Sequence, residues 1–287
     1  MINKDTKFLI VGLGLIGGSY AKGLSKAGYT VYGISKNTDE IDYAIKNKII
    51  KKGSAFVDEK LIKSADIIIF ALYPNVFKNW IKENGNLIKK GTLITDVTGV
   101  KKCIVDDIQS YLGEDVEFIS AHPMAGREVY GIENSDEKIF YAANYIVVPT
   151  DKNTQEGIET CKKIGEILKF AKISELSPDK HDEMIAFLSQ LAHCIAICLM
   201  TSNTQPHLEK YTGDSFRDLT RIANINENMW SELFLLNKEK LLNMMELFEE
   251  DFLKLKDYIL NDNIEAIKDM MRLSTERRKL FNKNNEE

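Results

Sequence analysis

The sequence predicts an α/β half built on a doubly wound, mainly parallel sheet, followed by an all-α half. Three observations carry this. The first half alternates short Ile/Val-rich runs with helical patterns, a glycine cluster sits at the first strand-to-helix junction, and after Ser177–Pro178 only helical patterns remain.

The strand runs are residues 8–11, 30–34, 66–72, 92–97, 116–120 and 145–148. They are almost continuously apolar, which suits strands covered on both faces. Helical stretches separate most of them, so the strands are expected to run parallel. A helix over 153–170 and a last short strand over 171–176 complete this layer.

The stretch SPDKHDEMIAFLSQLAHCIAICLM, residues 177–200, reads as one helix. Ser177 suits the cap, Pro178 the first turn, and Asp179 the positive end of the dipole. Its middle is apolar almost all round, which predicts burial on several sides. Farther on, Leu241, Met245, Phe248, Phe252, Leu255 and Ile259 recur at spacings of three and four, the pattern of a helix–helix or dimer contact. With no repeat or flexible linker, two closely packed domains are expected, 1–174 and 175–287.

Composition sets the outer limits. The 287 residues are 44% hydrophobic and 28% charged, enough for a sizeable core. A net charge of −5 with acids and bases intermixed does not suit a nucleic-acid surface. No apolar run is expected to reach the ~20 residues that span a bilayer, and no signal-like segment opens the chain. Four cysteines without a CxxC pair point to a reduced, cytoplasmic protein with no metal site. Cys194 and Cys198, one helical turn apart, read as small core residues.

The glycine cluster is VGLGLIGGS. Gly12, Gly14 and Gly17 have the GxGxxG spacing between a strand and a helix expected over 18–27. The first allows a tight turn, the second lets a pyrophosphate approach the backbone, and the third lets helix and strand pack closely. The helix N-terminus offers free N–H groups to the phosphates. This makes the first domain Rossmann-type, with a nicotinamide dinucleotide as the expected cofactor. Leu13, Leu15 and Ile16 within the loop, and Leu72 and Asp96 at the ends of later strands, complete the expected cofactor site. The second strand ends in Ser35 and Lys36, where NAD enzymes usually carry a carboxylate for the ribose. Without that carboxylate, and with a cation beside it, the reading leans to NADP, with dual specificity as the alternative.

Ligands of such sheets bind outside the carboxyl ends of the strands. There the chain places TDVTGVK (95–101) and AHPMAGRE (121–128), and the helical half adds LSQLAHC (188–194) and DSFRDLTRIANINENMW (214–230). Together with VGLGLIGGS and an HD…H helix carrying His181 and His193, these motifs resemble the prephenate dehydrogenases of tyrosine biosynthesis and the related arogenate dehydrogenases. The likeness spans nearly the whole chain.

The resemblance implies an oxidative decarboxylation of prephenate to 4-hydroxyphenylpyruvate. His122 matches the histidine that takes the substrate hydroxyl proton, and Arg221 the arginine that grips a substrate carboxylate. His193 and Trp230 match residues that shape the pocket, with Glu128 and Asp218 completing the expected substrate set. His181, beside Asp182, reads as a possible structural cap and stays outside the set. The family commonly dimerises through the helical domain, and neither an appended mutase nor a C-terminal regulatory domain is expected.

Two departures stand out. Where many members carry DxGSxK, the serine is Gly99, so Thr98 is the candidate to serve the catalytic histidine. Where HPMAGTE is common, Thr becomes Arg127, a cation expected to favour dianionic prephenate over arogenate with its ammonium group. The alternatives are an arogenate dehydrogenase, another two-domain dehydrogenase, or a non-catalytic NADP-sensing protein.

Overall fold

Six short parallel strands form the first sheet of the computed structural model, which describes residues 2–113 and 115–281. In chain order the elements are β1 (Lys7–Val11), α1 (Leu15–Lys26), β2 (Thr30–Ile34), α2 (Thr38–Lys46), β3 (Lys52–Ser54), α3 (Glu59–Ser64), β4 (Ile67–Phe70), α4 (Pro74–Asn84), β5 (Leu93–Asp96), α5 (Lys102–Tyr111) and β6 (Glu117–Phe118). The strand order β3-β2-β1-β4-β5-β6 reverses direction between β1 and β4. That switch point opens a crevice at their carboxyl ends, where the glycine loop begins.

Alternation along the strands divides the core in two. Phe8, Ile10, Ile67 and Ile69 face one side, and Leu9, Val11, Ile68 and Phe70 the other. Both faces are covered, hence the unbroken apolar runs. The edge strand β3 escaped the sequence reading because its three residues, KGS, carry no apolar signal. Helix α1 also starts inside the glycine motif, at Leu15 rather than at 18.

The expected single strand over 116–120 is broken. It splits at Ile119 into β6, which pairs with β5, and β7 (Ser120–Pro123), which leaves the first sheet. β7 pairs antiparallel with β8 (Asn144–Val148), and β8 pairs parallel with β9 (Lys172–Glu175), after α6 (Gln155–Ile167). This second, three-stranded sheet corrects the one-layer reading. An apolar run shows that a strand exists, not which neighbour it chooses.

Beyond β9, α7 (Pro178–Ile185), a π-helical stretch Ala186–Leu191 and α8 (Ala192–Thr201) run on as one helix. Ser177 caps it, accepting from the Lys180 N–H. Helices α9 (Asp214–Thr220) and α10 (Glu227–Leu236) follow, and Leu233 of α10 joins the core that holds Phe70 and Ile104. The chain forms two compact units, Met1–Asn237 and Lys238–Glu287. The second consists of α11 (Lys238–Leu260) packed on α12 (Ile264–Lys279).

Two expectations about the helices need correction. The helix Pro178–Thr201, with mean hydropathy 1.9 over its best window, is long and apolar enough to cross a bilayer, although no such run was expected. Its inward face nevertheless carries His181, Asp182 and Gln190, all buried and hydrogen-bonded within the protein. Nor is its middle covered on all sides, for Phe187 is 56% exposed and Leu188 45%. In α11, Phe252 and Ile259 of the expected contact stripe are also exposed.

Candidate active site

At the crevice the three glycines differ in what surrounds them. A Cβ on Gly12, whose φ is +94°, would lie 2.3 Å from the Ala71 carbonyl oxygen, and one on Gly17 would lie 1.9 Å from that of Gly12. A Cβ on Gly14 would meet nothing within 4 Å. The outer glycines therefore serve packing, and the middle one leaves a free approach to the backbone. Gly14 is also the N-cap of α1, with no side-chain cap and no acidic residue in the first turn. Leu15 and Ile16 stand half-buried in that turn, and Leu72 borders the loop across from Gly12. These features suit a dinucleotide phosphate. The Leu13 side chain, within the same loop, is fully buried in the core.

The tip of β2 holds a carboxylate after all. The Ser35 hydroxyl donates to the Glu40 carboxylate from the first turn of α2, and Lys36 beside it is exposed. Asn37 caps α2 immediately, accepting from the Asp39 N–H at 2.9 Å, and this tight start turns Glu40 back onto the strand end. The acid absent from the strand tip in the sequence lies five residues on, where the turn into α2 folds it back.

Under the loop that follows His122 lies a buried ionic network. Lys101 Nζ, fully buried, donates to Asp96 Oδ2 at 2.9 Å, to the Ala121 carbonyl at 2.6 Å and to Thr98 Oγ1 at 3.2 Å. Asp96 Oδ1 accepts from the Ser120 hydroxyl and the Ala121 N–H. The network ties the β5 loop to the start of β7 and so sets the position of His122. Two expectations change. Asp96 is buried with both oxygens engaged, so it positions the loop instead of facing a cofactor. Thr98 turns its hydroxyl inward to Asp96 and the Val100 carbonyl, so it does not stand in for the serine absent at Gly99.

The partner of His122 is His181. Nδ1 of the half-buried His122 lies 2.9 Å from Nε2 of the fully buried His181. Nδ1 of His181 lies 2.8 Å from Asp182 Oδ1. The Asp182 carboxylate also accepts the backbone N–H groups of Lys101 at 2.8 Å and Lys102 at 2.9 Å. Burial holds the His122 pKa well below the ordinary histidine value, and the charges of His181 and Lys101 push it the same way. Burial lowers His181 too, against the opposing hydrogen bond of Asp182. Both rings are therefore neutral at pH 7.

A second cluster lies on the helical side. The His193 and Trp230 rings stack with centroids 3.6 Å apart at 28°. The Ser189 carbonyl, 2.8 Å away, fixes the proton on His193 Nδ1. Arg221 is ion-paired with Glu128, six residues along the loop from His122. Glu128 and Arg221 both act on the charge of His193, in opposite directions, so the three form one cluster. Asp218, on α9, is exposed, and the carboxylate paired with Arg221 is that of Glu128. Arg127 is exposed on the loop.

Residues 20–173 match the nucleotide-binding domain of prephenate dehydrogenase, and residues 177–273 match its dimerization domain. The chain belongs to the prephenate dehydrogenase family. It is 30% identical to the prephenate dehydrogenase of Bacillus subtilis over 92% of this chain and 72% of that protein. With the prephenate dehydrogenase of Lactococcus lactis it shares 32% identity over 85% and 68% of the two. The prephenate dehydrogenase structure from Aquifex aeolicus, in complex with hydroxyphenyl propionate and NAD+, superposes with a TM-score of 0.89 at 28% identity, covering 96% of this chain and 98% of that one.

Family motifs had drawn attention to His122, Arg221, His193 and Trp230. Residues that support them carried a weaker signal. Gln190, buried in the π-helical stretch, donates to the Leu233 carbonyl, and Asn237 joins it to the Asp182 carbonyl at 2.9 Å. This brace holds the His181–Asp182 end of the helix against α10.

Proposed function

We propose that the chain carries out the oxidative decarboxylation of prephenate to 4-hydroxyphenylpyruvate, with His122 as the base. His122 carries this reading. It is a partly accessible, uncharged imidazole whose Nδ1 is engaged, near the end of the strand β7, and the loop that follows holds Glu128 against Arg221.

A bound nicotinamide dinucleotide supplies the hydride acceptor; the Gly12–Gly17 loop and the α1 N-terminus are the residues that hold it. His122 takes the proton of the ring hydroxyl as the hydride leaves the carbon bearing it. The ring carboxylate departs as CO2, and its bonding electrons complete the aromatic ring. His122 then returns its proton to the phenolic oxygen, so the overall reaction releases no net proton. Arg221 exchanges Glu128 for a substrate carboxylate, a bidentate grip that lysine does not reproduce. The stacked His193 and Trp230 form a pocket wall, and Arg127 favours the dianionic substrate over arogenate.

The Glu40 carboxylate at Ser35 accepts from a ribose 2′-hydroxyl and repels a 2′-phosphate, which supports NAD. We assign a functional boundary near residue 175, between the matched domains. Phe187, Leu188 and Met200, left exposed on an apolar helix inside the matched dimerization domain, support a homodimer through the helical half. Four free cysteines suit a reducing cytoplasm.

A product assay crossing prephenate and arogenate with NAD and NADP tests this reading. Reduced cofactor, CO2 and 4-hydroxyphenylpyruvate formed in equal amounts from prephenate and NAD are expected. No product with either substrate would overturn it.

A further inference from the structure

We infer that His181 and Asp182 are positioning residues that hold His122 in one tautomer, with the proton on Nδ1 and the free lone pair on Nε2. This rests on His122 being the base.

The chain of donors and acceptors has one consistent direction. Asp182 is anchored by two backbone N–H groups, those of Lys101 and Lys102 at the start of α5. Those groups only donate, so both carboxylate oxygens accept. His181 Nδ1, 2.8 Å from Oδ1, must then carry a proton. A neutral His181 ring leaves its Nε2 bare, as an acceptor. His122 Nδ1, 2.9 Å away, is therefore the donor. The only unprotonated nitrogen left on His122 is Nε2, on the ring edge away from His181. That is the nitrogen a base needs.

The opposite tautomer would set two bare nitrogens against each other across the His122–His181 contact. A free imidazole divides between both tautomers, and a base that spends part of its time with Nε2 protonated is idle for that part. The relay crosses from β7 to α7 and ends on the first residues of α5. In the sequence His181 belongs to the HD…H helix and reads as a possible cap, but Ser177 is the cap, and the His181 side chain faces inward.

The test uses the whole chain labelled with 15N-histidine, which has only four histidines. In the wild type at neutral pH, His122 should show a protonated Nδ1 and an unprotonated Nε2. His181→Phe removes the acceptor: the His122 signals should then report mixed tautomers, and kcat with prephenate should fall about tenfold or more while the dissociation constants for prephenate and cofactor change less than threefold. His181→Gln presents an amide oxygen to His122 and an amide N–H to Asp182, so it should recover part of the lost kcat. A purely structural role would lower stability without shifting the tautomer.

A wild-type His122 with Nε2 protonated would overturn the inference, as would a folded His181→Phe protein with kcat within twofold of wild type. If His181→Phe does not fold, the wild-type spectrum decides. That spectrum reads the relay without any substrate, so failure of the proposed reaction and failure of the relay are told apart.

Discussion

The imidazoles of His122 and His181 meet at 2.9 Å, and His181 opposes protonation of His122. Burial contributes most to keeping both neutral. A base with a depressed pKa remains active at pH values where an ordinary histidine is already protonated. The acid limb of the kcat/KM profile for prephenate is therefore expected below pH 6.5, the ordinary histidine value. A limb at or above that value would show that His122 is charged in the free enzyme.

Lys101 and Asp96 form a fully buried pair beneath the same loop. Lys101→Met leaves the Asp96 charge without its counterion and the Ala121 carbonyl without its donor. Removing one partner of such a pair costs about 3–5 kcal/mol. Urea denaturation should show a loss of that size with an unchanged m-value. A loss under ~1 kcal/mol would mean that water reaches the pair.

Arg221 and Glu128 form an ion pair beside the loop that follows His122. Arg221→Lys keeps the charge but loses the planar fork, so KM for prephenate should rise about tenfold or more with a smaller change in kcat. Glu128→Gln releases the guanidinium and should not raise KM. A rise of similar size in both variants would place Glu128 on the substrate itself and not in competition with it.

Glu40 sits against Ser35 where the ribose of a dinucleotide is read. Direct titration of the wild type should show tighter binding of NAD than of NADP. Glu40→Gln should narrow the gap by about tenfold through tighter NADP binding, with the same trend in kcat/KM. Unchanged NADP affinity in the variant would remove Glu40 from the specificity site.

Much of the molecule was legible in the sequence because its signals are local. The strand runs, the glycine loop, the Ser177 cap and the all-helical second half each follow from short-range chemistry. The course of residues 116–123 was not legible, since the choice between β5 and β8 as neighbour is made by the whole sheet. The site divides in the same way. His122 and Arg221 stood out in their motifs, but the bond from His122 to His181 joins residues 59 positions apart, and no spacing rule announces it. Thr98 and Asp96 show the converse error. Polar residues in a motif drew a functional reading, yet they belong to a buried network that only the fold reveals.

His122→Asn tests the proposed chemistry most directly, through kcat for prephenate with NAD measured beside equilibrium binding of both ligands. General-base catalysis by one residue contributes about 10²–10⁴-fold, so kcat should fall by that factor with dissociation constants within threefold of wild type. A folded variant that keeps kcat within threefold would contradict the assignment of His122 as the base.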